Sequence, residues 1–203
     1  MSEIRFIEKP DWITWSQIRD CIYQAHSINR KKNIYILNSE MSDEEFAERY
    51  EKNQNLHCFV ALDGDRVVGV QAVKFVKMNR WWAKGKRVAY TCLDGILPAY
   101  RGTDVFLGLD RMRMKCITDS GVRIIQCNTA ENNKSVLKLC KLGGFKYVQY
   151  SATGKGATYY SVIMVKWLDG CPYSDTFCIF MYKLSKFFVK TFWKPGYVFR
   201  FWF

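Results

Sequence analysis

The chain has 203 residues, of which 49% are hydrophobic and 25% charged, a composition typical of one globular domain with a full core. This composition excludes a disordered or repeat protein. The net charge of +12 predicts an electropositive surface that attracts phosphates, nucleic acid or acidic lipid headgroups. The first residues carry acids and lack the apolar stretch of a secretory signal, so we expect a cytoplasmic protein.

The eight cysteines predict reduced, mostly buried thiols. They are spread along the chain without a CxxC pair, and only His26 and His57 accompany them. Zinc sites draw on clustered cysteine and histidine ligands. We therefore expect no bound metal.

The first half of the chain predicts a strand, two helices and three antiparallel strands. Apolar residues at helical spacing follow Pro10-Asp11, and Ser42 before three acids predicts a capped second helix. The turn Asp63-Gly64-Asp65 indicates a hairpin. The predicted elements span residues 3–8, 10–27, 43–52, 57–62, 66–77 and 87–97, with a basic loop at 28–41.

The second half predicts a helix at 103–120, a buried strand at 122–127, and a helix that begins after Asn132 or Asn133 and ends at Leu142. A hairpin follows at 145–150 and 159–167. The strand, helix, strand order around residue 110 favours a parallel, right-handed crossover. These elements together predict an α/β (α+β) fold around one mixed, mostly antiparallel central sheet of about seven strands flanked by helices.

The segment from Ile96 to Phe106 places a glycine turn between a proline-stopped strand and a helix. Such a turn directs backbone N–H groups and the positive end of the helix toward one point, which favours an anion. The segment resembles the acyl-CoA pyrophosphate loop of the GNAT superfamily of N-acetyltransferases through Ile96, Pro98, Tyr100, Arg101 and Gly102. Asp104 departs from the family, which generally has Gly or Ala there, and Asp is also a good helix cap.

A second segment, residues 132–145, resembles the late GNAT helix with its pattern N-x-x-[SA] and K-x-G-F. An extra glycine precedes Phe145. The family often places in this helix a tyrosine that protonates the departing thiolate. Counting from either end of the motif puts Leu139 or Cys140 at that position.

The resemblance covers residues 3–168 and implies a GNAT-like domain that uses acetyl-CoA as cosubstrate, without a metal. It implies a cleft between the strand that ends at Leu97 and the strand at 122–127, where a backbone N–H near Asp94 polarises the thioester. The implied CoA-binding residues are Ile96, Arg101, Gly102, Thr103, Asp104, Val105, Phe106, Asn132 and Ser135.

Two residues are candidates for proton transfer. Asp94 lies in an apolar strand, which predicts a raised pKa and suits a base, although it also has the chemistry to bind backbone groups beside Gly95. Cys140 is the candidate acid, and a buried core cysteine is the alternative. His26 and either Tyr159 or Tyr160 are further candidates.

The resemblance implies a small-molecule amine acceptor bound between two loops. In this sequence these loops, residues 29–33 and 153–156, are basic. They favour an anionic acceptor or an amino sugar linked to a nucleotide, unless the lysines are only solvated.

Residues 169–203 form a predicted C-terminal extension. An amphipathic helix at 175–193 precedes an aromatic strand at 197–203. The helix fits a peripheral contact with an anionic membrane, a cover for the domain, or a homodimer contact. The lysines of the helix and of the residue after it are Lys183, Lys186, Lys190 and Lys194. The apolar residues of the helix are Phe177, Ile179, Phe180, Leu184, Phe187, Phe188 and Phe192.

Two other functions stay open. A GNAT-like binding module without catalysis would explain Asp104 and the missing tyrosine. A nucleic-acid-binding protein would explain the charge and the aromatic residues, but the sequence has no recognisable nucleic-acid motif and gives no strong evidence for this partner.

Overall fold

The computed structural model describes residues 3–31, 41–152 and 160–192. This part of the chain contains seven strands and five α-helices. They are β1 (Arg5–Glu8), α1 (Trp15–Lys31), α2 (Asp43–Glu51), β2 (Leu56–Asp63), β3 (Arg66–Lys77), β4 (Arg87–Ile96), α3 (Val105–Asp119), β5 (Ile124–Ala130), α4 (Lys134–Leu142), β6 (Lys146–Ala152), β7 (Tyr160–Trp167) and α5 (Asp175–Phe192).

The predicted fold class is confirmed: the protein is a mixed α/β fold with a seven-stranded, mostly antiparallel sheet flanked by helices. The chain divides into two compact units. Among the described residues, the first unit comprises 3–31, 41–76 and 89–122, and the second comprises 77–88, 123–152 and 160–192. The division into a domain at 1–168 and an extension at 169–203 stays a prediction.

In the first unit the strand order is β1-β2-β3-β4. Strand β1 is antiparallel to β2, and β2 forms the predicted hairpin with β3 around Gly64, whose φ of 61° suits glycine. Ser42 and Glu45 form the capping box that begins α2. The core combines residues of the helices and strands that are at most 1% exposed: Ile18, Ile22, Phe46, Val60, Val70, Leu109 and Ile117.

Helix α1 differs from its predicted bounds at both ends. Thr14 and Gln17 bond reciprocally, with Thr14 N–H 2.8 Å from Gln17 Oε1 and Gln17 N–H 3.3 Å from Thr14 Oγ1. This pair begins the helix at Trp15, so Trp12 precedes the helix and is 54% exposed. The C-terminus extends to Lys31, into the predicted loop.

In the second unit the strand order is β5-β7-β6, with both pairs antiparallel. Strand β5 is shifted from its predicted bounds because it pairs with β7 from Ile124 opposite Trp167 to Ala130 opposite Ser161. Polar residues near its end resemble a turn in sequence, but the ladder continues through them. Asn133, rather than Asn132, is the N-cap of α4.

Helix α5 packs on β6. Its Ser185 hydroxyl accepts a hydrogen bond from the backbone N–H of Tyr150 at 2.9 Å, which satisfies a donor on an edge strand. Lys146 Nζ lies 2.8 Å from Asp175 Oδ1 at the first turn of the helix. No helix among the described residues is long and apolar enough to cross a membrane. The predicted aromatic strand at 197–203 lies outside the described residues.

Replacing Gly95 with alanine tests the close approach of β4 to α1. A Cβ atom at this position would lie 2.9 Å from Ile22 Cδ1 and 3.2 Å from Ala25 Cβ. Alanine in a strand is ordinarily more stable than glycine by about 0.5–1 kcal/mol, but this crowding reverses the sign. We expect Gly95→Ala to lower the free energy of unfolding, measured in urea, by roughly 1–3 kcal/mol. Adding Ala25→Gly should restore part of the loss, whereas an unchanged stability for Gly95→Ala would contradict this packing.

Candidate active site

The turn between β4 and α3 exposes several backbone donors. After a short 3-10 turn at Pro98–Tyr100, Gly102 has a φ of 78°, and no atom lies within 4 Å of where its Cβ would be. Among the described residues, the N–H groups of Gly102, Thr103, Asp104 and Phe106 make no hydrogen bond of normal length and angle. A row of open N–H groups at a helix N-terminus has the geometry and the polarity to hold an anion.

Asp104 does not cap α3, contrary to one of the two roles considered for it. Its backbone is already helical, with φ −69° and ψ −3°, and its side chain makes no capping hydrogen bond. Thr103 supplies the local contacts instead, because its Oγ1 lies 3.4 Å from the Val105 N–H and donates to the Tyr100 carbonyl at 2.6 Å. The Asp104 carboxylate is therefore an exposed negative charge beside the open N–H groups.

Arg101 connects this turn to helix α1 through a hydrogen bond. Its Nη2 donates to the Ala25 carbonyl, and its Nε lies 3.4 Å from the Ile96 carbonyl. The guanidinium thus bonds the protein backbone at both of these atoms. Its effect on a bound anion would be mainly that of a nearby positive charge.

Asp94 lies on β4 next to Leu93, whose φ of 54° interrupts the regular strand geometry. Asp94 Oδ1 is 2.6 Å from Arg113 Nη1, and Arg113 Nη2 is 2.7 Å from Asp110 Oδ1. The arginine side chain is 11% exposed, whereas that of Asp94 is 43% exposed and keeps an opening to solvent. Desolvation by the surrounding protein raises the pKa of Asp94, and the Arg113 guanidinium opposes but does not cancel this rise.

Arg113 was not among the residues selected from the sequence. The buried stripe of α3 consists of Val105, Leu109, Arg113 and Ile117. This stripe has a regular spacing of four residues. An arginine within it is the signal that predicts a buried ion pair, because a buried guanidinium needs a partner.

His26 contacts the backbone of Asp94. Its Nε2 lies 2.8 Å from the Asp94 carbonyl oxygen, so Nε2 carries the proton and donates it. The Nδ1 atom is buried without a partner among the described residues, and burial lowers the pKa of His26. The ring is therefore a neutral group that holds the backbone beside the carboxylate of Asp94.

The second motif lies in the second unit. Asn133 accepts from the Val136 N–H at 3.5 Å and donates to Thr129 Oγ1 at 3.0 Å, while Asn132 and Ser135 are exposed. Cys140 is 9% exposed with its Sγ 3.8 Å from Cys127 Sγ, whereas Leu139 is 49% exposed. The candidate acid thus lies in a packed cluster with Tyr150, Val162 and Met164.

A polar cluster that the sequence does not predict surrounds Glu131, the residue directly after β5. Glu131 Oε2 accepts from the Tyr150 hydroxyl, and its two oxygens lie 3.2 Å from Lys190 Nζ and 3.4 Å from Lys186 Nζ. Partial burial alone would raise the pKa of Glu131, but the hydrogen bonds and the two ammonium groups lower it. Tyr160, a candidate from the sequence, stacks on Tyr150 at 5.4 Å beside this cluster. Tyr159 lies outside the described residues.

The thiols and acids of the described residues form no metal centre. No disulfide joins any of the eight cysteines, and no group of three or more His, Cys, Asp or Glu side chains in the described ranges is arranged to hold a metal ion.

The fold of the chain is similar to that of solved acetyltransferase structures. No family model matches the chain, and no curated protein matches it. An acetyltransferase structure from Streptococcus agalactiae is similar, with TM-score 0.59 and 21% identity over 83% of this chain and 100% of that one. A GNAT-family acetyltransferase from Staphylococcus aureus has a TM-score of 0.60 and 12% identity over 82% of this chain and 99% of that one. Arabidopsis thaliana NAA60, in complex with a bisubstrate analogue, has a TM-score of 0.58 and 16% identity over 81% of this chain and 98% of that one. The chain therefore has the fold of the GNAT acetyltransferases.

Replacing Tyr150 with phenylalanine tests the Glu131 cluster. A hydrogen bond to a charged group contributes about 1.5–3 kcal/mol, so we expect Tyr150→Phe to lower the free energy of unfolding by that amount at pH 7. Tyr147→Phe is the matched control, because the Tyr147 hydroxyl has no hydrogen-bond partner among the described residues, and it should cost little.

The same cluster predicts a pH dependence. Since the pKa of Glu131 is lowered in the folded protein, its contribution to stability is present above the ordinary value of 4.5 and is lost as the pH falls through the folded value. The stability difference between the wild type and Glu131→Gln, measured by urea denaturation, should shrink over this acidic range. A difference that stays constant down to strongly acidic pH would contradict the ionic role.

Proposed function

We propose that this protein is an acyl-CoA-dependent N-acetyltransferase that transfers an acetyl group from acetyl-CoA to the amine of a small acceptor. The observation that carries the proposal is the row of open N–H groups between Gly102 and Phe106 at the start of α3. It lies on a fold that the protein shares with acetyltransferases. The residues present fit a diphosphate, because Gly102 leaves space at the turn and the open N–H groups follow one another at the start of α3.

In this proposal the turn binds the diphosphate of CoA. The N–H groups of Gly102, Thr103, Asp104 and Phe106 donate to it, while Val105 fixes the first turn of α3 through its buried side chain. Arg101 adds positive charge. The remaining contacts that the sequence implies are Ile96 along the strand and Asn132 and Ser135 on the second unit.

Asp94 is the proposed base. A bound acyl thioester supplies an activated carbonyl, and an acceptor amine attacks it only as a neutral group. Asp94 combines two properties that suit this step: the ion pair with Arg113 favours its charged form, and desolvation makes that form more basic than a solvated carboxylate. It can bind the acceptor ammonium and take its proton directly or through a water molecule.

Two groups support Asp94. Arg113 is a positioning residue that orients the carboxylate from α3, and neutral His26 holds the Asp94 carbonyl from α1. The reversal of the backbone at Leu93 changes the direction of the neighbouring peptide groups. This supports the proposed role of a nearby backbone N–H in polarising the thioester.

Cys140 is the acid that the sequence suggests for the departing thiolate, but its burial against Cys127 supports the alternative role of a core cysteine. The same burial, together with Asp104, is the evidence for the second candidate function, a binding module without catalysis. Isothermal titration with acetyl-CoA and an assay of free CoA release on a panel of amines separate the two. An enzyme gives acceptor-dependent CoA release, whereas a binding module gives heat without turnover.

The acceptor that we propose is an anionic amine or an amino sugar. The basis is the basic character of residues 29–33 and 153–156. Residues 29–31 belong to the last turn of α1, and the loop at 153–156 lies outside the described residues. The panel should therefore pair each anionic acceptor with its neutral analogue.

Changing the two groups around Asp94 should move the acidic limb of the pH profile in opposite directions. Arg113→Gln removes a cation, which raises the pKa of Asp94 and moves the acidic limb of kcat/KM up by about one pH unit. Asp110→Asn removes an anion, which lowers the pKa of Asp94 and moves the limb to lower pH by a smaller amount. Asp94→Asn should reduce kcat by about 10²–10⁴-fold. If both limbs coincide with that of the wild type, Asp94 is not the titrating base.

Removing the charge of Asp104 should strengthen CoA binding. The carboxylate makes no capping bond, so Asp104→Asn keeps the shape of the turn and removes only a repulsion. Because the turn is exposed, we expect a gain in affinity of at most about fivefold, measured by calorimetry. Asp119→Asn, at the other end of α3, makes the same change in net charge and should leave the affinity unchanged. Weaker binding by Asp104→Asn would argue against a diphosphate at this turn.

A further inference from the structure

One face of helix α5 packs on strand β6 and on the cluster around Cys140. Cys178 is 1% exposed, Ser185 bonds the Tyr150 backbone, and Tyr182 and Val189 pack against the cluster around Cys140. These residues recur at spacings of three and four, so they share one side of the helix.

The opposite side of α5 is apolar and exposed. Phe180, Leu184 and Phe187 follow one another at spacings of four and three residues and are 57%, 37% and 62% exposed. Phe177 and Ile179 continue this surface toward the first turn and are also exposed. A contiguous apolar surface of this kind is uncommon on soluble monomers and indicates a contact with another phase or molecule.

Positive charge borders this surface. Lys183, Lys186 and Lys190 lie along one flank of α5, and its single acid, Asp175, is paired with Lys146. Lys186 and Lys190 share one carboxylate, that of Glu131, so the three lysines and this partner carry a net charge of about +2 at neutral pH.

A second basic element lies beside the first turn of α5. The Tyr173 hydroxyl donates to the Trp81 carbonyl at 2.9 Å, and the Trp81 ring packs edge-on against Phe177 at 5.3 Å. Lys84 lies 5.4 Å from the Tyr173 ring. The tip of the loop before β4 therefore brings exposed Lys84 and Lys86 and an aromatic pair next to the apolar surface of the helix.

We propose that the face of α5 formed by Phe180, Leu184 and Phe187 binds the surface of a bilayer that contains anionic phospholipid. The helix lies in the plane of the interface, with the phenylalanine rings in the headgroup boundary and Lys183 and Lys84 near lipid phosphates. This arrangement of aromatic and basic residues is that of an interfacial helix.

Charge also favours the bilayer over a second copy of the chain. In a twofold dimer built on this face with antiparallel helices, the lysine flank of each helix would lie near the flank of the other. Like charges brought together in this way oppose association, whereas an anionic surface neutralises them. The proposal is independent of the catalytic one, because it uses none of the residues at the β4–α3 turn.

Co-sedimentation of the full chain with vesicles tests the proposal. We expect binding to vesicles of phosphatidylcholine mixed with phosphatidylserine, weaker binding to phosphatidylcholine alone, and a loss of binding at high salt. Lys183→Ala should weaken the binding about fivefold. Phe180→Ser with Phe187→Ser should abolish it without changing the melting temperature, since both side chains are exposed.

Trp12→Ser with Leu142→Ser is the matched control, because it removes two exposed apolar side chains elsewhere, and it should bind vesicles as the wild type does. Failure of the wild type to bind the anionic vesicles overturns the proposal. So does equal binding by the double phenylalanine variant. A dimer in light scattering that becomes a monomer in that variant, without vesicle binding by the wild type, would assign the face to a second copy instead.

Discussion

The ion pair between Arg113 and Asp94 constrains how α3 lies on its sheet. Arg113 occupies the middle of the buried stripe of α3, and burying a guanidinium without a partner costs several kcal/mol, of the order of 3–5. The helix can therefore neither rotate nor slide without breaking a pair whose atoms are 2.6 Å apart. Because the rotation and register of α3 are fixed, its first N–H groups point from a defined place at the end of β4. The base candidate and the anion site thus depend on the same contact.

The second unit is organised around a different charged group. Glu131 directly follows β5. It accepts a hydrogen bond from Tyr150 of β6 and forms ion pairs with two lysines of α5. Ser185 of α5 also satisfies a backbone donor of β6. The packed side of α5 is consequently part of the hydrogen-bond network of this unit. Among the described residues, the exposed side with Phe180, Leu184 and Phe187 makes no such hydrogen bond, and it is the side that we propose binds a bilayer.

Much of the fold follows from patterns that neighbouring residues encode. The order of strands and helices, the hairpin at Gly64, the capping box at Ser42 and the turn at Gly102 agree with the sequence analysis. Helix α1 begins later than predicted because Thr14 and Gln17 form a capping pair, and β5 ends later than predicted because its pairing with β7 continues through polar residues. The resemblance to GNAT motifs also agrees with the fold of the solved acetyltransferases.

The sequence by itself determined the elements and the candidate anion turn, because periodicity, capping and glycine turns depend on residues a few positions apart. Only the tertiary structure decided that Asp94 meets Arg113, 19 residues away, and that Asp104 leaves the cap to its neighbours. The tertiary structure also decided that Glu131 meets the lysines of α5. These outcomes depend on how helices rotate against a sheet, and that rotation is a property of the packed core rather than of any short segment of the chain.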